Sequence, residues 1–287
     1  MHFAAKCSFA HFFVDSPMFT YLNSSSFRRY QLDWVCGLSI LVYFFVVAEH
    51  ARPFFRQFSL DDPTIQHPFA VHERVSGIAC ILLSAIVPTV VILGSVLVKT
   101  RNFRLSNDQL HLIQVSLLGL LLSLAISGTV TDILKNWIAR PRPDFLARCG
   151  AKEGTPVHQL VGVDVCTSPL GIGVLIDGMR STPSGHSSIS FAGMVYLTLW
   201  LYGQTQVFVK RQPIYLTLAC SLPLLLSSYI ALSRTQDYRH HFMDIVLGTT
   251  LGVVMSSTVY HRYFYGVFSE DSNKVAEEGE VLPLHNN

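Results

Sequence analysis

Half of the 287 residues are hydrophobic, only 14% are charged and the mean hydropathy is +0.38, which excludes ordinary soluble domains and fits a multi-span membrane protein. A net charge of +2 with no clustered basic stripe gives no case for a nucleic-acid partner. There is no internal repeat of 20–50 residues, no P-loop and no dinucleotide fingerprint.

Residues 1–30 are aromatic-rich but interrupted by Asp15, Pro17 and the run Asn23 to Ser26. Their short apolar patches make no signal-peptide core, and the expectation is a segment lying on the membrane surface. Six apolar runs follow, each near the length that crosses a hydrocarbon core. They are Leu32 to Ala48, Ile78 to Val98, Leu110 to Leu134, Ser188 to Tyr202, Pro213 to Leu232 and Phe242 to Tyr260. The fourth is short and borrows flanking residues. Residues 31–265 therefore read as one all-α, six-span bundle, and 266–287 as a disordered tail with Asp271, Glu277, Glu278 and Glu280.

Six spans put both termini on one side and the loops 51–77, 135–187 and 233–241 on the other. The terminal side carries ten Lys and Arg and the loop side eleven, three of which have chemical roles below. The balance leans slightly toward cytosolic termini. Of the six cysteines, Cys36, Cys80 and Cys220 lie in apolar runs as small core residues. Cys149 and Cys166 share one polar loop; a disulfide and two unrelated thiols both remain open.

Three stretches on the loop side carry the chemistry. The third span ends in Lys135-Asn-Trp-Ile-Ala-Arg-Pro-Arg142-Pro143-Asp144. Lys135 falls in the last helical turn, where the dipole favours a cation, and two prolines hold Arg142 in an extended segment. The fourth span opens with Ser181-Thr182-Pro183-Ser184-Gly185-His186. Thr182 reads as the N-cap and Pro183 as the first helical residue. Ser184 and Gly185 then offer backbone N–H groups to an anion, with His186 beside them as a proton donor. Before the last span, Arg234 offers a fork of donors for phosphate oxygens. If that span starts near His240, then His240 and Asp244 share a helix face, and the carboxylate orients the imidazole as a nucleophile. Each stretch alone also reads as an interfacial anchor or a helix cap.

Together, Lys135-x6-Arg142-Pro143, Pro183-Ser184-Gly185-His186 and Ser233-Arg234-x5-His240-x3-Asp244 resemble the three-part signature of the type 2 phosphatidic acid phosphatases, the lipid phosphate phosphatases. The resemblance covers roughly residues 30–265. In detail it is similar to the fungal branch that acts on diacylglycerol pyrophosphate. It implies a helical bundle of the acid phosphatase/haloperoxidase-like type. It also implies removal of the terminal phosphate of diacylglycerol pyrophosphate, then of phosphatidate or lysophosphatidate, with no metal or other cofactor. Lys135, Arg142, Ser184, Gly185 and Arg234 would bind phosphate. His240 would form a phosphohistidine with Asp244 orienting it, and His186 would protonate the leaving oxygen. The adjacent His241 would be structural. The partners implied are the lipid phosphate and the bilayer. The location implied is vacuolar or another endomembrane, with the catalytic face lumenal or extracellular, where a Cys149–Cys166 disulfide is chemically permissible. The alternatives are a polyprenyl or sphingolipid phosphate phosphatase of the same chemistry, or a non-catalytic lipid- or anion-binding membrane protein.

Overall fold

The computed structural model describes residues 17–100 and 105–276. Among them the regular structure is helical, with only isolated β-bridges besides. In chain order the helices are α1 (Pro17–Leu22), α2 (Ser25–Arg29), α3 (Gln31–Tyr43, continued by a π turn over Phe44–Ala48), α4 (Gly77–Val98) and α5 (Asn107–Ile138). Then come α6 (Phe145–Cys149), α7 (Ile172–Gly178), α8 (Gly185–Thr205), α9 (Ile214–Gln236) and α10 (Phe242–Tyr263).

Five of these are long and apolar enough to cross a membrane: α3 with its π turn, α4, α5, α9 and α10. The expectation of six such segments is corrected at α8, which has the length but not the hydropathy. Its position explains this. Helix α8 packs against α4, α5, α9 and α10, and its Ser187, Ser188, Ser190 and Thr198 are all buried. A helix ringed by protein need not be apolar toward lipid, and some of its polar side chains bond to neighbouring helices. Thr131 donates to the Ser188 hydroxyl at 2.7 Å, and Trp200 Nε1 donates to Ser116 Oγ at 2.8 Å.

Helix α4 shows the complementary pattern. Ile78, Leu82, Ile86 and Val90 form an exposed apolar stripe, while Cys80, Ser84, Pro88, Ile92 and Val96 face inward. The stripes follow the four-residue spacing of a helix face. Apolar side chains outside and small ones inside are what a lipid-facing helix requires.

The approach of α10 to α8 depends on two glycines one turn apart. A Cβ on Gly248 would stand 2.4 Å from the Ser184 carbonyl oxygen, and one on Gly252 2.4 Å from that of Ser188. Small residues four apart let two backbones touch, and here they bring the start of α10 against the start of α8.

One end of the bundle carries a cap built from the long loops. Phe58, Ile65, Phe145, Cys149, Val161, Leu175 and Met179 form its separate apolar core. Cys149 and Cys166 are bonded there, with Cα atoms 4.6 Å apart. At the opposite end, Tyr21 and Tyr30 are buried and Tyr21 bonds to His111 and Gln114 on α5. The segment 17–30 is thus packed on the bundle, while 1–16 lie outside the described residues. The acidic tail also needs correction over 266–276. Val267 and Ser272 are buried, Ala276 N donates to the Tyr263 carbonyl, and Gln206 Nε2 reaches the Glu270 carbonyl. These backbone bonds and buried groups, not visible as an apolar pattern, hold it; the remainder, 277–287, lies outside the described residues.

Candidate active site

Helix α5 delivers Lys135 in its last turn and stops at Ala139, which adopts a left-handed backbone (φ 49°). The chain then runs extended into the cap. Arg142 is fixed there three times over. Its N–H donates to the Gly178 carbonyl at 2.8 Å, and Nε and Nη2 donate to the Asp177 carbonyl and carboxylate at 2.9 and 2.7 Å.

Helix α8 begins at Gly185, with Ser184 as its N-cap. The expected cap at Thr182 is corrected, because the hydroxyls of Ser181 and Thr182 both donate to Asp244 instead. The cost of moving the start is small, since Ser184 serves equally well as a cap. Gly185 sits directly against the Lys135 ammonium: a Cβ there would lie 2.9 Å from Nζ. Gly185→Ala is therefore expected to displace a flexible side-chain end without disturbing backbone. Turnover should fall by about 10²-fold, with the unfolding midpoint in detergent within a few degrees of wild type. Comparing kcat and thermal unfolding of the variant checks both halves.

Arg234 closes α9, almost fully buried. Its Nη1 donates to the Val75 carbonyl at 2.9 Å and lies 3.2 Å from Glu73 and 3.5 Å from Asp237. Its Nε is buried without a hydrogen-bond partner. The chain turns at Tyr238 (φ 51°) and presents His240.

His240 is buried, and its Nδ1 lies 2.7 Å from the Ser181 carbonyl oxygen. A carbonyl only accepts, so Nδ1 carries the proton and Nε2 keeps its lone pair. His186 Nε2 is tied in the same way to the Val75 carbonyl at 3.0 Å. Burial, and then Arg142, Lys135, Arg234 and His186, push the His240 imidazole well below 6.5. Residues from three distant stretches thus converge on one ring.

This depression has a stability consequence. The unfolded chain takes up a proton at His240 as pH falls through 6.5, while the folded chain does not. Stability is therefore unaffected above that value and lost below it. Going from pH 7.5 to 5.5, His240 should lower the stability of the folded protein. Thermal unfolding at both pH values should show a smaller drop in His240→Ala than in wild type; equal drops would contradict a buried neutral imidazole.

The expected Asp244–His240 pair is not what the structure contains. Helix α10 starts at Phe242 with His241 as N-cap, so Asp244 is its third residue rather than one turn beyond a helical His240. Its carboxylate accepts from the His241 N–H at 2.9 Å, Ser181 Oγ at 2.5 Å, Arg140 Nη1 at 3.0 Å and the Thr182 hydroxyl. Its carbonyl accepts from Ser184 N at 2.9 Å. Asp244 thus acts on the imidazole at one remove, by clamping the segment whose Ser181 carbonyl holds Nδ1. His241 bonds to Asp244 and to the Thr64 carbonyl.

Each phosphate-binding candidate with a positive charge is backed by a carboxylate that the motif reading passed over. Asp132 lies 3.3 Å from Lys135, Asp177 holds Arg142, and Glu73 and Asp237 hold Arg234. Two of them had a local signal, since Asp132 and Asp237 stand three residues from their partners on helical spacing. Asp177 and Glu73 come from other loops and had none.

Residues 116–267, which include every one of these candidates, match the PAP2 superfamily. The chain belongs to that superfamily. Among PAP2 relatives and other lipid phosphatases, it is 43% identical to diacylglycerol pyrophosphate phosphatase 1 of Saccharomyces cerevisiae, over 82% of this chain and 80% of the relative. It is 42% identical to the probable diacylglycerol pyrophosphate phosphatase 1 of Schizosaccharomyces pombe (81% and 80%). Lipid phosphate phosphatase 2 of Arabidopsis thaliana is 30% identical (85% and 80%). No solved structure matches the chain.

Proposed function

We propose that this PAP2 protein is an integral-membrane lipid phosphatase that removes the terminal phosphate of diacylglycerol pyrophosphate and then that of phosphatidate or lysophosphatidate. The observation that carries the reading is the His240 imidazole, its Nδ1 proton committed to Ser181, set among Lys135, Arg142, Arg234 and His186. The printed names of the relatives supply the substrate class.

Lys135, Arg142 and Arg234 hold the phosphoryl oxygens, with the unpartnered Arg234 Nε as one donor and the helix start from Gly185 onward as another source, the Ser184 N–H being spent on the Asp244 carbonyl. His240 Nε2 attacks phosphorus, the bond from phosphorus to the leaving oxygen breaks, and His186, whose Nε2–H stays on the Val75 carbonyl, gives that oxygen a proton carried at Nδ1. Water then attacks the phosphohistidine as His186 takes its proton, the N–P bond breaks, and inorganic phosphate leaves. Helix α8 is the sixth span in this reading, the cap faces a lumen or the outside, and the termini face the cytosol. The bonded Cys149 and Cys166 fit an oxidising side.

Phosphate release from diacylglycerol pyrophosphate in detergent micelles, with excess EDTA, tests the proposal. Among the described residues no three His, Cys, Asp or Glu side chains gather as a metal-ligand set. Release that persists in EDTA and exceeds that from polyprenyl and sphingolipid phosphates supports the reading. A preference for the other esters would overturn the substrate, and dependence on a divalent ion would overturn the mechanism.

A further inference from the structure

Arg142 reaches the site from a loop and Arg234 from the last turn of α9, yet an unbroken run of alternating charges joins them. Arg142 Nη2 meets Asp177 Oδ1 at 2.7 Å, and Asp177 Oδ2 meets Arg148 Nη1 at 2.9 Å. Arg148 grips both oxygens of Asp144, at 2.8 and 2.9 Å. Asp144 Oδ2 lies 3.3 Å from Arg239 Nη1, whose Nη2 lies 2.8 Å from Glu73 Oε1. Glu73 Oε2 then stands 3.2 Å from Arg234 Nη1. The ring of Phe69 lies under both inner arginines, 5.1 Å from Arg148 and 4.4 Å from Arg239. Arg148 and Asp144 are wholly buried.

Such a run is a poor device for stability alone, because desolvating ion pairs costs about as much as their attraction returns. It is a good device for geometry. A guanidinium fork bonded on two edges fixes both the distance and the tilt of the carboxylates it joins. At the ends, the Asp177 carbonyl and carboxylate occupy Nε and Nη2 of Arg142, and the Val75 carbonyl and Glu73 carboxylate occupy Nη1 of Arg234. That leaves Arg142 Nη1 and Arg234 Nε for an incoming anion.

We propose that this relay, centred on Arg148, is a positioning device that sets the spacing of Arg142 and Arg234 across the phosphate. The inference rests on the assignment of those two arginines to phosphate binding. Arg148, Asp144, Arg239, Asp177 and Glu73 act through Arg142 and Arg234 and touch no substrate. Because the relay is continuous, its two ends are coupled although Asp177 and Glu73 do not meet.

The test is a double-mutant cycle on orthovanadate binding, read by calorimetry on the full chain in detergent micelles. Asp177→Asn and Glu73→Gln are isosteric changes at carboxylates 42% and 25% exposed, so both variants keep the fold. Each should weaken vanadate by about ten-fold, and the pair by well under the product of the two, since cutting either end releases the same spacing. Arg148→Lys, which keeps the charge and loses the fork, should weaken vanadate similarly and remove most of the further effect of Glu73→Gln. A local structural role for each residue gives independent losses that multiply to within about two-fold, and that result overturns the relay. Unchanged affinity in both folded single variants overturns it as well. Should Arg148→Lys fail to fold, the Asp177–Glu73 cycle decides alone. Absence of vanadate binding to the wild-type protein, seen before any variant is measured, overturns the phosphate assignment and the relay's purpose with it.

Discussion

His240→Ala is expected to reduce phosphate release from diacylglycerol pyrophosphate by at least about 10⁴-fold. On the proposed mechanism, removal of the imidazole deletes the nitrogen that attacks phosphorus. The variant should nonetheless fold. The ring is held by one hydrogen bond, to Ser181, and its loss lifts the burden of an imidazole surrounded by cations. Rapid-quench labelling with substrate carrying a radioactive terminal phosphate should trap an acid-labile, base-stable phosphoenzyme in wild type and none in the variant. A variant with turnover within ten-fold of wild type would remove His240 from the mechanism.

Arg234→Lys is the second large effect, about 10²- to 10³-fold in kcat/KM, the scale of losing a transition-state donor. The substitution keeps the charge, so a purely coulombic role would leave activity nearly intact. The environment argues otherwise. Arg234 spends Nη1 on Val75 and Glu73 and keeps Nε unpartnered inside the site, a division of labour that a single ammonium cannot reproduce. The loss should fall on kcat more than on KM, because the donor matters most where charge builds on the phosphoryl oxygens. Wild-type kcat with only a raised KM would reduce Arg234 to a ground-state ligand. Thermal unfolding of the same sample separates misfolding from mispositioning, since the buried Asp237 or the partly buried Glu73 left without its partner also costs stability.

Two corrections show where reading along the chain stops working. At α8, the expected sixth apolar span over Ser188 to Tyr202 lacks the hydropathy of the other five, because this helix is enclosed by four others rather than by lipid. Its serines and glycines carry out packing that hydropathy scores as polar. At Asp244, helical spacing implied a contact with His240, yet the helix starts two residues later, at Phe242. A shift of two residues rotates a side chain by about half a turn, so a partner inferred from spacing near a helix end is fragile. The disulfide was a different case. Its two cysteines were visible in one loop, but only the fold brings Cys149 and Cys166 to 4.6 Å.

What the sequence determined by itself was local: the apolar stretches that become α3, α4, α5, α9 and α10, the prolines around Arg142, and the residue types a phosphoryl-transfer site needs. These follow from periodicity, length and side-chain chemistry, which act over a few turns. What only the tertiary structure decided was which groups face each other. The Ser181 carbonyl sets the His240 tautomer, Asp177 and Glu73 back the arginines, and Gly185 rests on Lys135. Such partners lie in other loops, and no propensity links residues that meet only when α8, α9 and α10 pack. The candidate phosphate ligands can be read from the chain; of the carboxylates that hold them, Asp132 and Asp237 show a local spacing, whereas Asp177 and Glu73 show none.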